Sequence, residues 1–176
     1  MSLRVALAAC VFLAAVTCQA GNALPLGSLA SSGTVRVSGV SVPSGTVVFA
    51  GDTIEAEQSS AVVTLREGDS VVLGVNASVR VSQAENGRAI ELLRGMSRVQ
   101  LHSRDVRLVA SNWTLQPDLR TGRATADVVR TSEGTVSLNV RDGALVARNS
   151  AGKRVLVASG RPALLPACLL YTSPSP

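Results

Sequence analysis

Hydrophobic and polar residues alternate along most of this chain, in short runs separated by turn-forming residues. The segments TVRVS at 34–38 and VRLVA at 106–110 are examples. A period of two is typical of strands, and no long segment beyond position 20 has helical spacing. Strands are predicted at 34–38, 46–49, 53–56, 61–66, 70–75, 79–82, 89–93, 99–101, 106–110, 126–131, 135–140, 144–148 and 154–158. The pattern therefore predicts an all-β domain of about a dozen short strands, in a compact sandwich or roll, with a β-solenoid as the alternative.

Glycines separate the alternating runs and are predicted to form turns. The structural turn residues are expected to be Gly51, Asp52, Gly68, Gly95, Gly134 and Gly143. Glycine tolerates positive φ, and we expect the Asp52 side chain to accept a backbone hydrogen bond from two residues further on. Asn86-Gly87 and Asp142-Gly143 are dipeptides typical of tight hairpins. The segment 117–125 has a weaker pattern and is predicted to be a loop.

Composition and charge indicate what the core consists of and argue against one class of binding partner, nucleic acid. Aromatic residues make up 2% of the chain and hydrophobic residues 46%, so the core is expected to consist of Val, Leu, Ile and Ala. The net charge is +5, and Lys153 is the only lysine among the 17 basic residues. The arginines are scattered singly and aromatics for base stacking are scarce, which argues against nucleic-acid binding.

The first twenty residues have the features of an export signal. A short basic segment precedes an apolar stretch at 5–16, which is shorter than the roughly 20 residues needed to span a bilayer. Cleavage is predicted after Ala20 or Ala23, and an uncleaved anchor or a lipoprotein modified at Cys10 are the alternatives. We therefore expect a periplasmic or secreted protein, with a lead-in at 21–32 and no membrane span in the mature chain. Only Cys168 would remain after cleavage, so no disulfide is expected.

Few residues are candidates for chemistry. His102 is the only histidine, and no cysteine of the mature domain accompanies it, so neither a metal site nor a nucleophilic mechanism is predicted. Glu55 and Glu57 share one face of a predicted strand and are interpreted as solvated. Trp113 is interpreted as a core residue, with contact to a glycan as the alternative. No enzyme activity and no cofactor are expected.

The order of turns and strands resembles the FecR domain of bacterial envelope proteins. The segment GTVRVSGVSVPSGTVVFAGDTIEAEQSSAVVTLREGDSVVLGVNASVRV is similar to that family in its Gly-x-Val-x-Val start and in the Gly-Asp at 51–52. IELLRGMSRVQL at 90–101 and EGTVSLNVRDGALVARN at 133–149 resemble its later strand units, so the similarity covers about 33–160. The resemblance implies a β-rich interaction domain with an envelope protein as partner. The helical cytoplasmic domain of sigma-factor regulators has no counterpart here, so anti-sigma activity is not carried over. A wall or polysaccharide-binding protein is the alternative.

The end of the chain differs from everything before it. Residues 161–176 are predicted to be an unstructured tail, and CLLYTSPSP at 168–176 brings the only tyrosine, Tyr171, together with Cys168. All nine of these residues match the translation of a transposon-based sequencing adapter. We therefore expect the natural protein to continue beyond about Ala167, and we assign no role to Cys168 or Tyr171.

Overall fold

The computed structural model describes residues 24–84 and 87–167, which form fifteen strands. The strands are β1 Pro25–Ser31, β2 Val35–Val37, β3 Val40–Val42, β4 Val47–Phe49, β5 Thr53–Ala56, β6 Ala61–Leu65, β7 Ser70–Leu73, β8 Ala77–Ala84, β9 Gly87–Leu101, β10 Val106–Ala110, β11 Trp113–Pro117, β12 Ala124–Arg130, β13 Val136–Asn149, β14 Arg154–Ala158 and β15 Ala163–Leu165. Within these residues the only helical segment is one 3-10 turn, Arg66–Gly68. The all-β prediction is confirmed.

Five of the strands close into a barrel in the order β9–β10–β11–β13–β12 and back to β9. The β9–β10 pair is parallel, whereas the other four pairs of the ring are antiparallel. Closure leaves no free edge within the ring, which is one way in which β proteins satisfy their backbone groups. The architecture is therefore a barrel with additional strands, and the described residues do not form a solenoid.

The remaining strands extend from the two long members of the ring. β9 pairs with β7 and β8, which lead to the series β7–β6–β1–β4 and β8–β5–β2–β3. β13 carries β14 and β15. β9 and β13 consequently hold the whole molecule together, since every other described strand pairs with one of them directly or through its neighbours.

Two glycines lie where these long strands pass from one sheet to the other. Residues 88–94 of β9 pair with β8 and β10, and residues 95–101 pair with β7 and β12. Gly95 stands at that change with φ of 80°, and Gly143 stands at the matching change in β13 with φ of 75°. A register shift lies two residues before each glycine, at Leu93 in β9 and at Arg141 in β13. The predicted turns at Gly95 and at Asp142-Gly143 were therefore wrong, because both glycines lie within continuous strands, next to a β-bulge.

The core consists mainly of Val, Leu, Ile and Ala, as the composition predicted. Alternate residues along the strands are buried, and Leu29, Ile54 and Leu138 have at most 1% of their surface exposed. The single buried cluster runs through both series of strands and the barrel. The fold is therefore one unit with one continuous core.

Both ends of the described chain are more ordered than the sequence predicted. Residues 25–31 of the expected lead-in form β1, which pairs with β4 and β6 and buries Leu26 and Leu29. Residues 163–165 of the expected tail form β15, which pairs with β13 and buries Leu165. Short apolar segments next to glycine and proline gave too weak a signal for these strands. The proposed signal peptide, Asn86 and the segment 168–176 lie outside the described residues.

Candidate interaction surfaces

The predicted turn residues have three different roles. Asp52 accepts hydrogen bonds from the Phe49 N–H at 2.8 Å and from the Ser38 hydroxyl at 3.2 Å, so its backbone donor precedes it by three residues instead of following it by two. Gly68 ends the 3-10 turn between β6 and β7 with φ of 82°. Gly134 donates its N–H to the Thr131 carbonyl at 3.0 Å, in the turn between β12 and β13. These residues shape the backbone.

Trp113 is a core residue. Its side chain is 1% exposed, and its Nε1–H donates to the carbonyl oxygen of Pro166 at 2.9 Å. A buried indole leaves no ring face for stacking on a sugar, so the alternative of a glycan contact at Trp113 was wrong. The indole instead holds the segment after β15 against the start of β11.

A polar cluster that the sequence analysis missed joins the turn after β6 to the loop after β9. Asp69 is fully buried, and its Oδ1 accepts the backbone N–H groups of His102 at 2.6 Å and Ser103 at 3.2 Å. Arg88, which is 7% exposed, donates to the Arg66 carbonyl oxygen at 3.1 Å and lies 3.4 Å from the Glu67 carboxylate. The Asp69 contacts join the turn after β6 to the loop after β9, and the Arg88 contacts join the same turn to the start of β9. His102 takes part through its backbone, and its side chain is exposed.

The other candidate acids, Glu55 and Glu57, both lie beside Arg36. Glu57 forms an ion pair with Arg36 at 3.2 Å, and Glu55 lies between Arg36 and Ser78 in the sheet. Among residues 24–84 and 87–167 no three His, Cys, Asp or Glu side chains are placed to hold a metal ion. Nor does this part of the chain contain a helix of the length and apolarity that a membrane crossing requires.

Asp127 on β12 lies between two arginines. Arg98 donates to its Oδ1 at 2.7 Å, and Arg141 donates to its Oδ2. Burial raises the pKa of Asp127, but the hydrogen bonds and charges of both arginines outweigh burial, so the pKa lies below the ordinary aspartate value. The three side chains therefore form a charged network on the outer face of the barrel.

A row of apolar side chains crosses the outer face of the barrel beside this network. Leu164, Ser137, Val129 and Met96 lie directly opposite one another on β15, β13, β12 and β9. Residues directly opposite in antiparallel pairs share one face of the sheet. Leu164 is 74% exposed and Met96 51% exposed. Val129, which lies between them, is half-buried. We refer to Leu164, Val129 and Met96 as the apolar row.

A shallow groove lies at the far end of β1. It has a volume of about 260 Å³ and is lined by Ala30, Ser31, Ser32, Ser44, Ser60 and Val62. The Ser44 hydroxyl already accepts the Ser31 N–H at 3.1 Å. Its polar groups are hydroxyls with no charged or aromatic side chain among them, so the groove suits a neutral polar ligand better than a charged one.

Searches against protein-family models and against curated proteins find no match for this chain.

Proposed function

We propose that the protein is a non-catalytic, FecR-like interaction module of the periplasm, which relays a signal or acts as a scaffold through protein contacts. The apolar row carries this proposal. Contiguous apolar surface marks protein contact sites, whereas single exposed apolar residues are ordinary. The row aligns the exposed Leu164 and Met96 with the half-buried Val129 on one face. Met96 and Val129 stand on strands of the closed barrel, and Leu164 stands on β15, which pairs with β13 of that barrel, so a partner would meet a surface that changes little on binding.

The surroundings of the row support the same function. Next to the row on the same face, Arg98 and Arg141 both donate to Asp127, so these three side chains form a hydrogen-bonded polar border that keeps one net positive charge. An apolar patch with a polar border is the usual composition of a protein interface. The resemblance to FecR domains agrees with this assignment.

Site-specific photocrosslinking in intact cells tests the proposal. A photoreactive residue at Met96 should give crosslinks to an envelope protein, because that side chain is 51% exposed in the row. Gln100 is the matched control, since it is exposed on the same face of β9 but lies among the polar residues Ser70 and Thr125. Equal crosslinking at both positions, or none at Met96, would contradict the role of the row.

Fractionation of the same cells tests the location. The protein should be released with the periplasm by osmotic shock, and its recovery in the cytoplasm with the signal intact would contradict export. A crosslinked product that contains glycan and no protein would favour the second candidate, a cell-wall or polysaccharide-binding protein. The hydroxyl-lined groove at Ser31, Ser44 and Ser60 is the observation that favours that candidate.

A further inference from the structure

β14 is an edge strand whose outer side has no partner among the described residues. It pairs with β13 from Ala144–Ala158 to Arg148–Arg154 and with no other described strand. The Asn149 N–H donates to the Lys153 carbonyl at 3.0 Å, and the Ser159 N–H donates to the Gly143 carbonyl at 3.2 Å. Hydrogen-bonded positions alternate along an antiparallel pair. Odd-numbered residues of this segment therefore bond to β13, and the N–H and C=O groups of the even-numbered residues point away.

The outward backbone groups belong to Arg154, Leu156 and Ala158. The Ala158 carbonyl accepts the Arg161 N–H at 3.3 Å. The N–H and C=O groups of Arg154 and Leu156 and the N–H of Ala158 therefore have no hydrogen-bond partner among the described residues. Leu156 is 59% exposed, and the strand contains neither proline nor a bulge. Proline, bulges and charged side chains are the usual devices against unwanted pairing, and of these the edge carries only charge, at Arg154 and the adjacent Lys153. This edge is consequently open to an added strand that brings negative charge.

Two neighbouring arginines, Arg148 and Arg154, give this edge a positive charge. Arg148 and Arg154 lie directly opposite each other in a position without hydrogen bonds, where the Cα atoms of a pair are about 4.5 Å apart. Like charges in that arrangement destabilise a sheet. None of the ion pairs found among the described residues includes Arg148, Arg154 or the neighbouring Lys153. The repulsion is therefore not compensated there, and a carboxylate beside the pair would relieve it.

We propose that β14 binds an extended, acidic segment of a partner protein by antiparallel strand addition. Arg154 and Leu156 donate their N–H groups to the added strand and accept hydrogen bonds at their carbonyl oxygens. A Glu or Asp side chain opposite Arg154 contacts both guanidinium groups, and an uncharged side chain covers Leu156. The inference rests on the proposed interaction function and names the partner's chemistry, but it concerns a surface separate from the apolar row.

Fluorescence polarisation with synthetic probe peptides tests the proposal. The probe is a labelled Thr-Val-Thr-Val-Glu peptide, in which Glu would lie opposite Arg154 and the central Thr opposite Leu156. One control peptide has Gln in place of Glu. A second keeps Glu but is N-methylated at Glu and at the central Thr, which removes the hydrogen bonds to β14 and preserves the charge. The probe should bind, the Gln peptide should bind about threefold to tenfold more weakly, and the methylated peptide should not bind.

Variants of the protein separate the edge from general charge attraction. Leu156→Pro removes one outward N–H without touching a bond to β13, so it should abolish binding while circular dichroism stays unchanged. Arg154→Ala should weaken binding about threefold to tenfold. Arg120→Ala is the matched control, because Arg120 is exposed in the loop before β12 and forms none of the ion pairs found in residues 24–84 and 87–167.

Each other outcome overturns the proposal. Equal binding of the methylated peptide, or of the probe to a folded Leu156→Pro variant, would show attraction by charge alone. Absence of probe binding would mean that the edge accepts no such strand. A dimer that Leu156→Pro converts to a monomer would show that a second copy occupies the edge. The methylated peptide keeps the test decisive if Leu156→Pro does not fold, and crosslinking at Met96 reports on the general interaction function independently.

Discussion

Replacing Gly143 by alanine should destabilise the protein more than the same replacement at another glycine with an equal backbone angle. Gly143 has φ of 75°, and Gly160, in the turn after β14, has φ of 76°. A Cβ atom at Gly143 would overlap the carbonyl oxygen of Arg123 and lie 3.2 Å from the Ala124 Cα. A Cβ atom at Gly160 would meet nothing within 4 Å. The pair therefore separates the cost of the backbone angle from the cost of close strand approach.

The expected difference follows from these two costs. A left-handed backbone angle costs an alanine about 1–2 kcal/mol, and this applies to both variants. Displacing a packed strand to admit one more carbon costs about 1–3 kcal/mol further, and this applies to Gly143→Ala alone. We expect the free energy of unfolding to fall by about 1–2 kcal/mol in Gly160→Ala and by about 2–5 kcal/mol in Gly143→Ala, by the same two principles.

Urea unfolding followed by far-ultraviolet circular dichroism measures both values under identical conditions. The midpoint of thermal unfolding should be lower for Gly143→Ala than for Gly160→Ala, by about 2–4 °C for each kcal/mol of difference. Losses that agree within about 0.5 kcal/mol would refute the reasoning, because the contact between β13 and β12 would then cost nothing. A change in the urea m-value would instead show that the compactness of one state had changed.

Two further predictions concern side chains of the barrel. Trp113→Ala should lower the free energy of unfolding by about 3–5 kcal/mol in the same urea assay. Trp113→Phe should lower it by less, because phenylalanine loses the hydrogen bond to Pro166 but keeps most of the apolar contact. Equal losses in the two variants would contradict a packing role for Trp113. The pKa of Asp127 is lower in the folded protein than in the unfolded chain. Its ionised form therefore stabilises the fold at pH values above the ordinary aspartate pKa of about 4. That contribution to stability is lost as the pH falls through the folded-state pKa. The stability difference between wild type and Asp127→Asn should therefore be largest above about pH 5 and shrink in acid, whereas a difference independent of pH would exclude a role for the charge.

The sequence predicted the strands well because their signal is local. Alternation with a period of two is present in most of the buried strands, and the burial of Val136, Leu138 and Val140 on β13 repeats it in the structure. The strands β3 and β11 were not predicted. The aromatic-poor composition correctly predicted a core of aliphatic residues. Both properties can be read from a few consecutive residues, so the all-β class did not depend on knowing which strands pair.

The barrel and the candidate surfaces depend on contacts between distant residues. Asp142-Gly143 has the composition of a hairpin turn, yet β13 continues through it because its two halves pair with different strands. Asp69 accepts hydrogen bonds from residues more than thirty positions away, and Trp113 donates to one more than fifty positions away. No window of the sequence contains both members of such pairs. The exposure of Leu164 was hidden for the same reason, because β15 pairs with the distant strand β13. Arg148 and Arg154 are close in sequence, but their direct opposition depends on the register of the β13–β14 pair.

The change of pairing partners along β13 at Gly143 also determines where the β14 edge lies. β14 is held to the rest of the described molecule by its ladder with β13, and the ladder ends at the Gly143 carbonyl, which accepts the Ser159 N–H at 3.2 Å. A substitution at Gly143 therefore perturbs the barrel and the edge together, and reduced peptide binding after it would not identify the cause. Leu156→Pro alters an outward backbone group and leaves that ladder intact. The edge must accordingly be tested at Leu156, and the closure of the barrel at Gly143.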